Sequence, residues 1–208
     1  MDRLYLLYNM KIKLLEISGM VSALEALRLP YNKEPMSEIN NTRYARGGVF
    51  SQQHRIDFDL EGKDIALMQK LIISGDEHAK PLRGILAYLD ITAPIDWWVE
   101  AETYEAGHQR LFSASTMNTE GRGLKGHALR EELNKISFGR EVRKIDYISY
   151  QTLRRIVRQR YNHRKEEWHY FIDAVRRLPY ANELIFVGLE DEMRIHDEWM
   201  DDYLTGKI

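Results

Sequence analysis

The stretch "RGILAYLDIT", residues 83–92, constrains the fold more than any other part of the chain. It is apolar enough to predict a buried central strand of a sheet. Thr92 and Pro94 then predict the cap and first turn of a helix over about 94–106. Proteins often build sites where a buried strand passes directly into a helix, so we expect chemistry near this junction.

Apolar spacing on either side of this junction predicts a mixed α and β chain in which helix dominates. The absence of an internal repeat and the chain length of 208 residues favour one domain over 1–208. The predicted elements are a strand over 10–17, helices over 20–29, 63–74, 124–136 and 149–178 (bent near Asn162), a long loop over 31–60, and an amphipathic C-terminal helix over about 189–204.

Composition excludes several classes of protein. The chain is 44% hydrophobic and 30% charged with a net charge of -2, which fits neither a disordered chain nor a strongly basic nucleic-acid binder. It has no cysteine, which excludes disulfides, thiolate zinc sites and a cysteine nucleophile. Its scattered histidines form no metal-binding pattern. Without a secretory signal or a membrane-length apolar run, we expect a soluble cytoplasmic protein that does not contact membranes.

The first candidate site is "SGDEHAKPLRG", residues 74–84, just ahead of the buried strand. His78, Lys80 and Arg83 lie there among acids, and such residues can bind an anion or orient a base. A solvated turn with local ion pairs would have the same composition.

The second candidate begins with Trp97 and Trp98. On a helix from Pro94, Trp98, Glu102 and Glu105 lie close together, so an aromatic wall next to carboxylates can hold a planar ring. In the alternative, the tryptophans belong to the core and the glutamates face water.

The segment "SASTM" follows and supplies Ser113, Ser115 and Thr116. Their hydroxyl groups and the backbone amides suit a phosphate or a ribose. Such residues are also common in plain turns.

The third candidate is "LRRIVRQRYNHRK", residues 153–165, with six Arg and Lys residues and His163. Arg154, Arg158 and Tyr161 share one helical face, and a row of guanidinium groups binds phosphate bidentately. Because the whole chain is slightly acidic, a small anionic ligand or an interface with the acidic C-terminal segment is favoured over nucleic acid. An inert, solvated helix face is the remaining alternative.

Three segments resemble the flavin-dependent thymidylate synthases. "MKIKLLEISGMVSALEALRLPYN" is similar to their opening strand and helix, with Ala26, Arg28 and Tyr31 near an Ala-Arg-x-x-Tyr-like turn. "SGDEHAKPLRGILAYLDITAPIDWW" resembles the stretch that enters their signature helix, and "LRRIVRQRYNHRKEEWHYFIDAVRRLPY" resembles their late arginine-bearing helix. The shared "ITAP", double aromatic, "TY" and "STM" are closer still to a divergent group of phage and prophage relatives.

The resemblance implies an α+β fold with a central, mostly antiparallel sheet and helices. It also implies FAD as a cofactor and a homotetramer whose nucleotide sites are shared between subunits. The chain departs from the family at its hallmark, because no Arg-His-Arg triplet occurs and the corresponding helix reads "VEAETYE". In the family those arginines meet flavin and the nucleotide phosphate, so glutamates here replace attraction by repulsion.

The leading hypothesis is a nucleotide-binding protein on this scaffold that lacks the family's catalysis. In its concrete form, a phage protein sequesters a nucleotide immune second messenger such as a cyclic nucleotide. The alternatives are an FAD-dependent methyl or hydroxymethyl transferase acting on dUMP, and a structural oligomer whose basic helix contacts nucleic acid. The proposed ligand contacts are Arg154, Arg158 and Arg160 for phosphate, Trp97, Trp98 and Tyr104 for a base, and Ser113, Ser115 and Thr116 for phosphate or ribose.

Overall fold

The computed structural model describes residues 10–31, 38–39, 58–59 and 62–189. Its elements follow one another in an order that mixes strands and helices, which confirms the α+β class. In chain order they are β1 (Lys11–Ser18), α1 (Met20–Arg28), a 3-10 turn (Leu29–Tyr31), β2 (Glu38–Ile39), β3 (Phe58–Asp59), α2 (Gly62–Ile73), α3 (Pro81–Gly84), β4 (Leu86–Pro94), α4 (Ile95–Ala101), β5 (His108–Ser113), α5 (Gly126–Asn134), β6 (Glu141–Ser149), α6 (Tyr150–Arg160), α7 (Glu166–Arg176) and a π-helix (Asn182–Phe186).

Four strands form an antiparallel sheet in the order β1-β4-β6-β5. The strand β4 is central, as predicted, and pairs with β6 along its whole length from Leu86↔Ser149 to Pro94↔Glu141. Its residues alternate between buried and half-buried, so one face of the strand carries the core and the other is partly exposed. The apolar run therefore predicted the position of the strand, and the pleat limits full burial to one face.

The core lies between this sheet and the helices, and its centre is aromatic. Trp97 of α4 packs edge-on against Trp98 with ring centroids 4.9 Å apart. It also contacts Trp168 and Phe171 of α7, at 5.0 and 5.5 Å. All four side chains are buried. Contacts of this kind contribute about 0.5–1.5 kcal/mol per pair beyond area burial, so this cluster locks α4 to α7.

A glycine permits the turn between β1 and α1. Gly19 has φ +79°, and a Cβ placed there would lie 1.8 Å from the carbonyl oxygen of Gly84. The helices α1 and α3 therefore approach each other closely at a point where any side chain would collide.

Two helix predictions need correction. The helix predicted over 94–106 ends at Ala101, because the backbone turns there and β5 begins seven residues later, at His108. Its N-cap is Pro94, while Thr92 lies inside β4 and does not cap it. The helix predicted over 149–178 is two helices, α6 and α7, separated at 161–165, which confirms the bend near Asn162.

Part of the predicted organisation lies outside the described residues. Within the predicted loop 31–60, the structure describes Tyr31 and the paired two-residue strands β2 and β3. The predicted C-terminal helix over 189–204 lies outside the described residues apart from Leu189, and the assignment of 1–208 to one domain stays a prediction. Across the described ranges, every helix is too short or too polar to cross a membrane.

Candidate functional site

The C-terminal end of α4 meets the junction between α6 and α7 in a group of charged residues built around Glu100. Lys165 Nζ lies 2.7 Å from Glu100 Oε1, and Trp168 Nε1 donates to Oε2 at 2.9 Å. Arg160 Nη1 and His163 Nε2 each lie 3.4 Å from the same Oε2. We call these five residues the Glu100 cluster. They tie α4 to both later helices through one carboxylate.

The pKa values in the Glu100 cluster follow from burial and from these contacts. Partial burial raises the pKa of Glu100, but hydrogen bonds from Lys165 and Trp168 outweigh it and the net pKa lies below its ordinary value. Burial likewise lowers the pKa of Lys165, and its bonds to Glu100 and Asp96 reverse that shift. Burial lowers the pKa of His163 despite the pull of Glu100. The contacts thus favour the charged forms of Glu100 and Lys165, whereas burial favours the neutral form of His163.

A cavity of ≈ 360 Å³ opens beside this cluster, between α6 and the turn that follows α4. We call it the α6 cavity. Its volume is near the lower end of the range for small-molecule sites. The residues that line it are Thr103, Tyr104, Glu105, Ala106, Arg155, Gln159 and Arg160.

Two arginines flank the Tyr104 ring at this cavity. The Cζ atoms of Arg155 and Arg160 lie 5.8 and 5.6 Å from the ring centroid, and Arg160 Nε donates to the Tyr104 hydroxyl at 2.9 Å. Arg160 also lies over the Trp168 ring, 4.9 Å from its centroid. Among the described residues, no carboxylate pairs with Arg155. Arg160 is thus held in place, while Arg155 has no carboxylate partner in the described part of the chain.

One wall of the α6 cavity is fixed to the start of α6. Ser149 N donates to the Gly107 carbonyl at 2.7 Å, and Thr152 Oγ1 donates to the Ala106 carbonyl at 2.5 Å. Gly107 has φ +75°, and a Cβ there would lie 2.5 Å from Ser149 Oγ. The turn can approach the helix this closely only with glycine at position 107.

A second charged group surrounds Asp146 on β6, whose side chain is 0% exposed. His108 Nε2 lies 2.7 Å from its Oδ2, and Arg110 Nε lies 3.3 Å from its Oδ1. Arg110 and Lys144 also reach Glu102 Oε1, at 2.9 and 2.7 Å. Burial raises the pKa of Glu102, and Lys144 and Arg110 bring the net pKa below its ordinary value. We call these five residues the Asp146 cluster, and its charges are paired with one another.

Of the three predicted stacking residues, the structure places Trp97 and Trp98 in the core at 1% exposure. Trp98 Nε1 donates to the Val142 carbonyl, and Lys144 lies 4.6 Å from the centroid of its ring. No face of either ring is open to a ligand, so the expected base-stacking role gives way to a role in packing. Tyr104 lines the α6 cavity, but it is 4% exposed and its ring lies between two arginines.

The three predicted phosphate-binding arginines lie in different surroundings. Arg154 Nη1 donates to the carbonyls of Ile185 and Val187, both at 2.7 Å, and so holds the π-helix to α6. Arg158 is exposed on α6, and only Arg160 of the three lines the α6 cavity.

The predicted residues ahead of β4 form a polar turn. His78 and Lys80 are exposed, while Arg83 donates to Gln151 Oε1 at 2.9 Å and so connects this turn to α6. Arg28 pairs with the buried Asp64, with Nε donating to Oδ1 at 2.7 Å, and joins α1 to α2. These four residues are not among the described residues that line the α6 cavity.

The predicted hydroxyl residues lie at the end of β5 and in the turn that follows. Ser113 is exposed, and Ser115 and Thr116 are half-buried. Of the described lining of the α6 cavity, none comes from this segment, so its role in ligand binding stays a prediction.

Sequence reasoning missed Arg155 and Gln159, whereas Glu105 was among the predicted carboxylates. The signal was present in the apolar spacing of α6, because Leu153, Ile156 and Val157 are its buried stripe and Arg155 and Gln159 lie on the opposite side. The sequence prediction assigned the binding face of the helix to Arg154 and Arg158. The face that lines the cavity is shifted by one residue and carries Arg155 and Gln159.

A second cavity, of ≈ 210 Å³, lies between the sheet and α7. Its described lining is mainly apolar, and Arg177 is the one charged residue in it. It offers few groups that would orient a nucleotide. The residues that line it are Ile12, Leu14, Leu89, Phe171, Ala174, Val175, Arg177 and Leu178.

No protein-family model and no curated protein matches the sequence of this chain. Solved structures do match its fold. Thymidylate synthase X from Helicobacter pylori, with FAD and dUMP, has a TM-score of 0.57 and 12% identity over 85% of this chain and 97% of its own. A second structure of that enzyme with FAD and dUMP gives 0.58 and 11% over 84% and 97%.

A third similar structure is the UMP/dUMP methylase PolB from Streptomyces cacaoi, bound with 5-Br dUMP. Its TM-score is 0.51 and its identity is 10%, over 80% of this chain and 88% of its own. The similarity covers most of each chain although few residues are shared. The chain therefore has the fold of the flavin-dependent thymidylate synthases, in a highly divergent sequence.

Proposed function

We propose that this chain binds a small nucleotide in the α6 cavity and holds it without turnover. The observation that carries the proposal is the pair Arg155 and Arg160 on the cavity wall, with Arg160 fixed by Tyr104 and Glu100. A guanidinium whose orientation is already set loses less entropy on binding phosphate than a free one.

The other lining groups suit the rest of a nucleotide. Gln159 carries both a donor and an acceptor, Thr103 a hydroxyl, and Glu105 a carboxylate that accepts hydrogen bonds. Phosphate at the arginines and hydroxyl or amino donors at Glu105 would satisfy both ends of such a ligand. The ligands of the solved neighbours, dUMP and 5-Br dUMP, make pyrimidine nucleotides the first choice for testing.

Absence of turnover is proposed from the helix α4 and the residues after it. Glu100 and Glu102 lie where the resemblance expects the Arg-His-Arg residues, and each is held by cations in its own cluster. These carboxylates do not supply the guanidinium groups that meet flavin and the nucleotide phosphate in the family, and the nearby tryptophan rings are buried. The described residues at this helix therefore do not fit flavin, and no catalytic step is assigned to them.

The finer form of the proposal is sequestration of a nucleotide second messenger by a phage protein in the host cytoplasm. Sequestration needs tight binding and release of the ligand unchanged. A homo-oligomer, with four subunits by the family resemblance, would allow residues such as Ser113, Ser115 and Thr116 to complete the site from another subunit.

The direct test is isothermal titration with dUMP, FAD, a panel of cyclic nucleotides and ADP-ribose derivatives. Ligand recovered after heating the complex is then identified by mass spectrometry. We expect one nucleotide class to bind and to be recovered intact. Failure of every ligand to bind contradicts the proposal, and chemical conversion of the bound ligand contradicts its non-catalytic part.

The second candidate is an FAD-dependent transferase acting on dUMP. It is favoured by the FAD and dUMP present in the two Helicobacter pylori structures that share this fold. It predicts a yellow protein with visible flavin absorption and formation of dTMP from dUMP. A colourless protein that does not take up added FAD contradicts it.

A further inference from the structure

We infer that Glu100 acts as an internal counter-charge that makes the α6 cavity select nucleotides of low charge, phosphodiesters and monophosphates, over triphosphates. The inference rests on the proposed nucleotide binding at this cavity. It assigns to Glu100, which does not line the cavity itself, a role in ligand specificity.

The first step is the position of Glu100 behind a lining residue. Its Oε2 lies 3.4 Å from Arg160 Nη1, while Arg160 Nε donates to Tyr104 at the cavity wall. An anion bound to Arg160 therefore approaches a guanidinium that is already shared with a carboxylate. Repulsion from Glu100 grows with each charge that the ligand carries.

The second step is the charge balance of the site. We count the charged residues that line the cavity together with the ion pairs that connect to it through the Glu100 cluster. Among them, cations and carboxylates are equal in number. Burial lowers the pKa of His163, so its imidazole adds little positive charge with which to balance a highly charged ligand. The cations are Arg155, Arg160 and Lys165, and the carboxylates are Asp96, Glu100 and Glu105.

The third step separates the charge of Glu100 from its structural role. Trp168 Nε1 requires an acceptor, and Glu100 Oε2 supplies it at 2.9 Å. The amide oxygen of glutamine can accept the same bond. Glu100→Gln therefore removes the negative charge and leaves an acceptor for the buried indole.

The experiment compares wild type and Glu100→Gln by isothermal titration at fixed ionic strength. The probes are 3′,5′-cyclic UMP, UMP and UTP and their adenine counterparts, which carry one, about two and about four negative charges. Wild type is expected to bind the triphosphate no more tightly than the cyclic nucleotide. In Glu100→Gln we expect affinity for the triphosphate to rise about tenfold relative to the cyclic nucleotide, or about 1.4 kcal/mol.

Glu131→Gln is the matched control, because Glu131 is exposed on α5 and does not belong to the described lining of the cavity. It should leave every affinity unchanged. An unchanged triphosphate-to-cyclic ratio in Glu100→Gln overturns the inference while leaving nucleotide binding intact.

The wild-type series keeps the inference testable if Glu100→Gln does not fold. Tighter binding of triphosphate than of cyclic nucleotide by wild type overturns it. Binding of none of the six nucleotides by wild type overturns the proposed function at this cavity, and the two failures are thereby distinguished.

Discussion

The Glu100 and Asp146 clusters contain similar residues but differ in burial and in what lies next to them. Each has a histidine, an arginine and a lysine around glutamate or aspartate, and the two clusters flank the C-terminal end of α4. In the Asp146 cluster the central carboxylate is fully buried and the charges are paired internally. In the Glu100 cluster Arg160 reaches a cavity where Arg155 has no described carboxylate partner. Burial and an adjacent cavity, not composition, distinguish a structural ion network from a candidate binding site.

The largest expected effect is on the structural side of this comparison. Asp146→Asn leaves His108 and Arg110 without their buried counter-charge, and we expect a loss of about 3–5 kcal/mol in the free energy of unfolding. Urea denaturation followed by circular dichroism measures it. Asp173→Asn, at an exposed position of α7, is the matched control. A loss below about 1 kcal/mol would mean that the Asp146 cluster does not have the structural role assigned to it.

The next effect is on binding. Arg160→Ala removes a guanidinium that faces the α6 cavity, and we expect nucleotide affinity to fall about tenfold to hundredfold because charged hydrogen bonds are lost. Titration of the nucleotide that wild type binds measures this, with circular dichroism to check folding. Arg158→Ala, exposed on the same helix, is the comparison variant. Equal losses in both variants would favour the basic face predicted from sequence over the α6 cavity.

A smaller effect is expected for Arg154, which should contribute to stability and not to nucleotide binding. Its guanidinium holds the carbonyls of Ile185 and Val187, so Arg154→Ala should lower the free energy of unfolding by about 2 kcal/mol. Nucleotide affinity should remain within about twofold of wild type when measured well below the unfolding transition. A strong loss of nucleotide affinity with an unchanged free energy of unfolding would support the sequence prediction that Arg154 binds the ligand.

The smallest effect is the acid response of Glu100. Its folded pKa lies below the ordinary value of 4.5, so its ion pairs stabilise the fold fully above that value. That stabilisation is lost as pH falls through the folded pKa. Wild type should therefore lose stability more steeply than Glu100→Gln below about pH 4.5 in thermal unfolding at a series of pH values. Parallel curves for the two proteins would contradict the assigned ion pairs.

Apolar patterning predicted the elements whose buried faces are apolar, which include β1, α1, α2 and β4. It missed β5 and β6, where Arg110 pairs with Asp146 across the two strands and Lys144 pairs with Glu102. In sequence analysis a charged residue is assigned to the solvent-exposed face. Its ion-pair partner lies on another strand and is known only from the structure. The same limit applies to Glu100, whose cations come from residues about sixty positions later in the chain.

The close fit of Gly107 against Ser149 and Thr152 limits how the site can change over evolutionary time. Because no larger residue fits at that contact, the spacing between turn and helix is set by the backbone and is inherited with the fold. Under the proposed function, new ligand preferences are then expected to come from the side chains of Arg155, Gln159 and Glu105 and not from this turn. Proteins of this fold that keep the glycine can therefore differ in the side chains around the turn while the turn keeps its distance from α6.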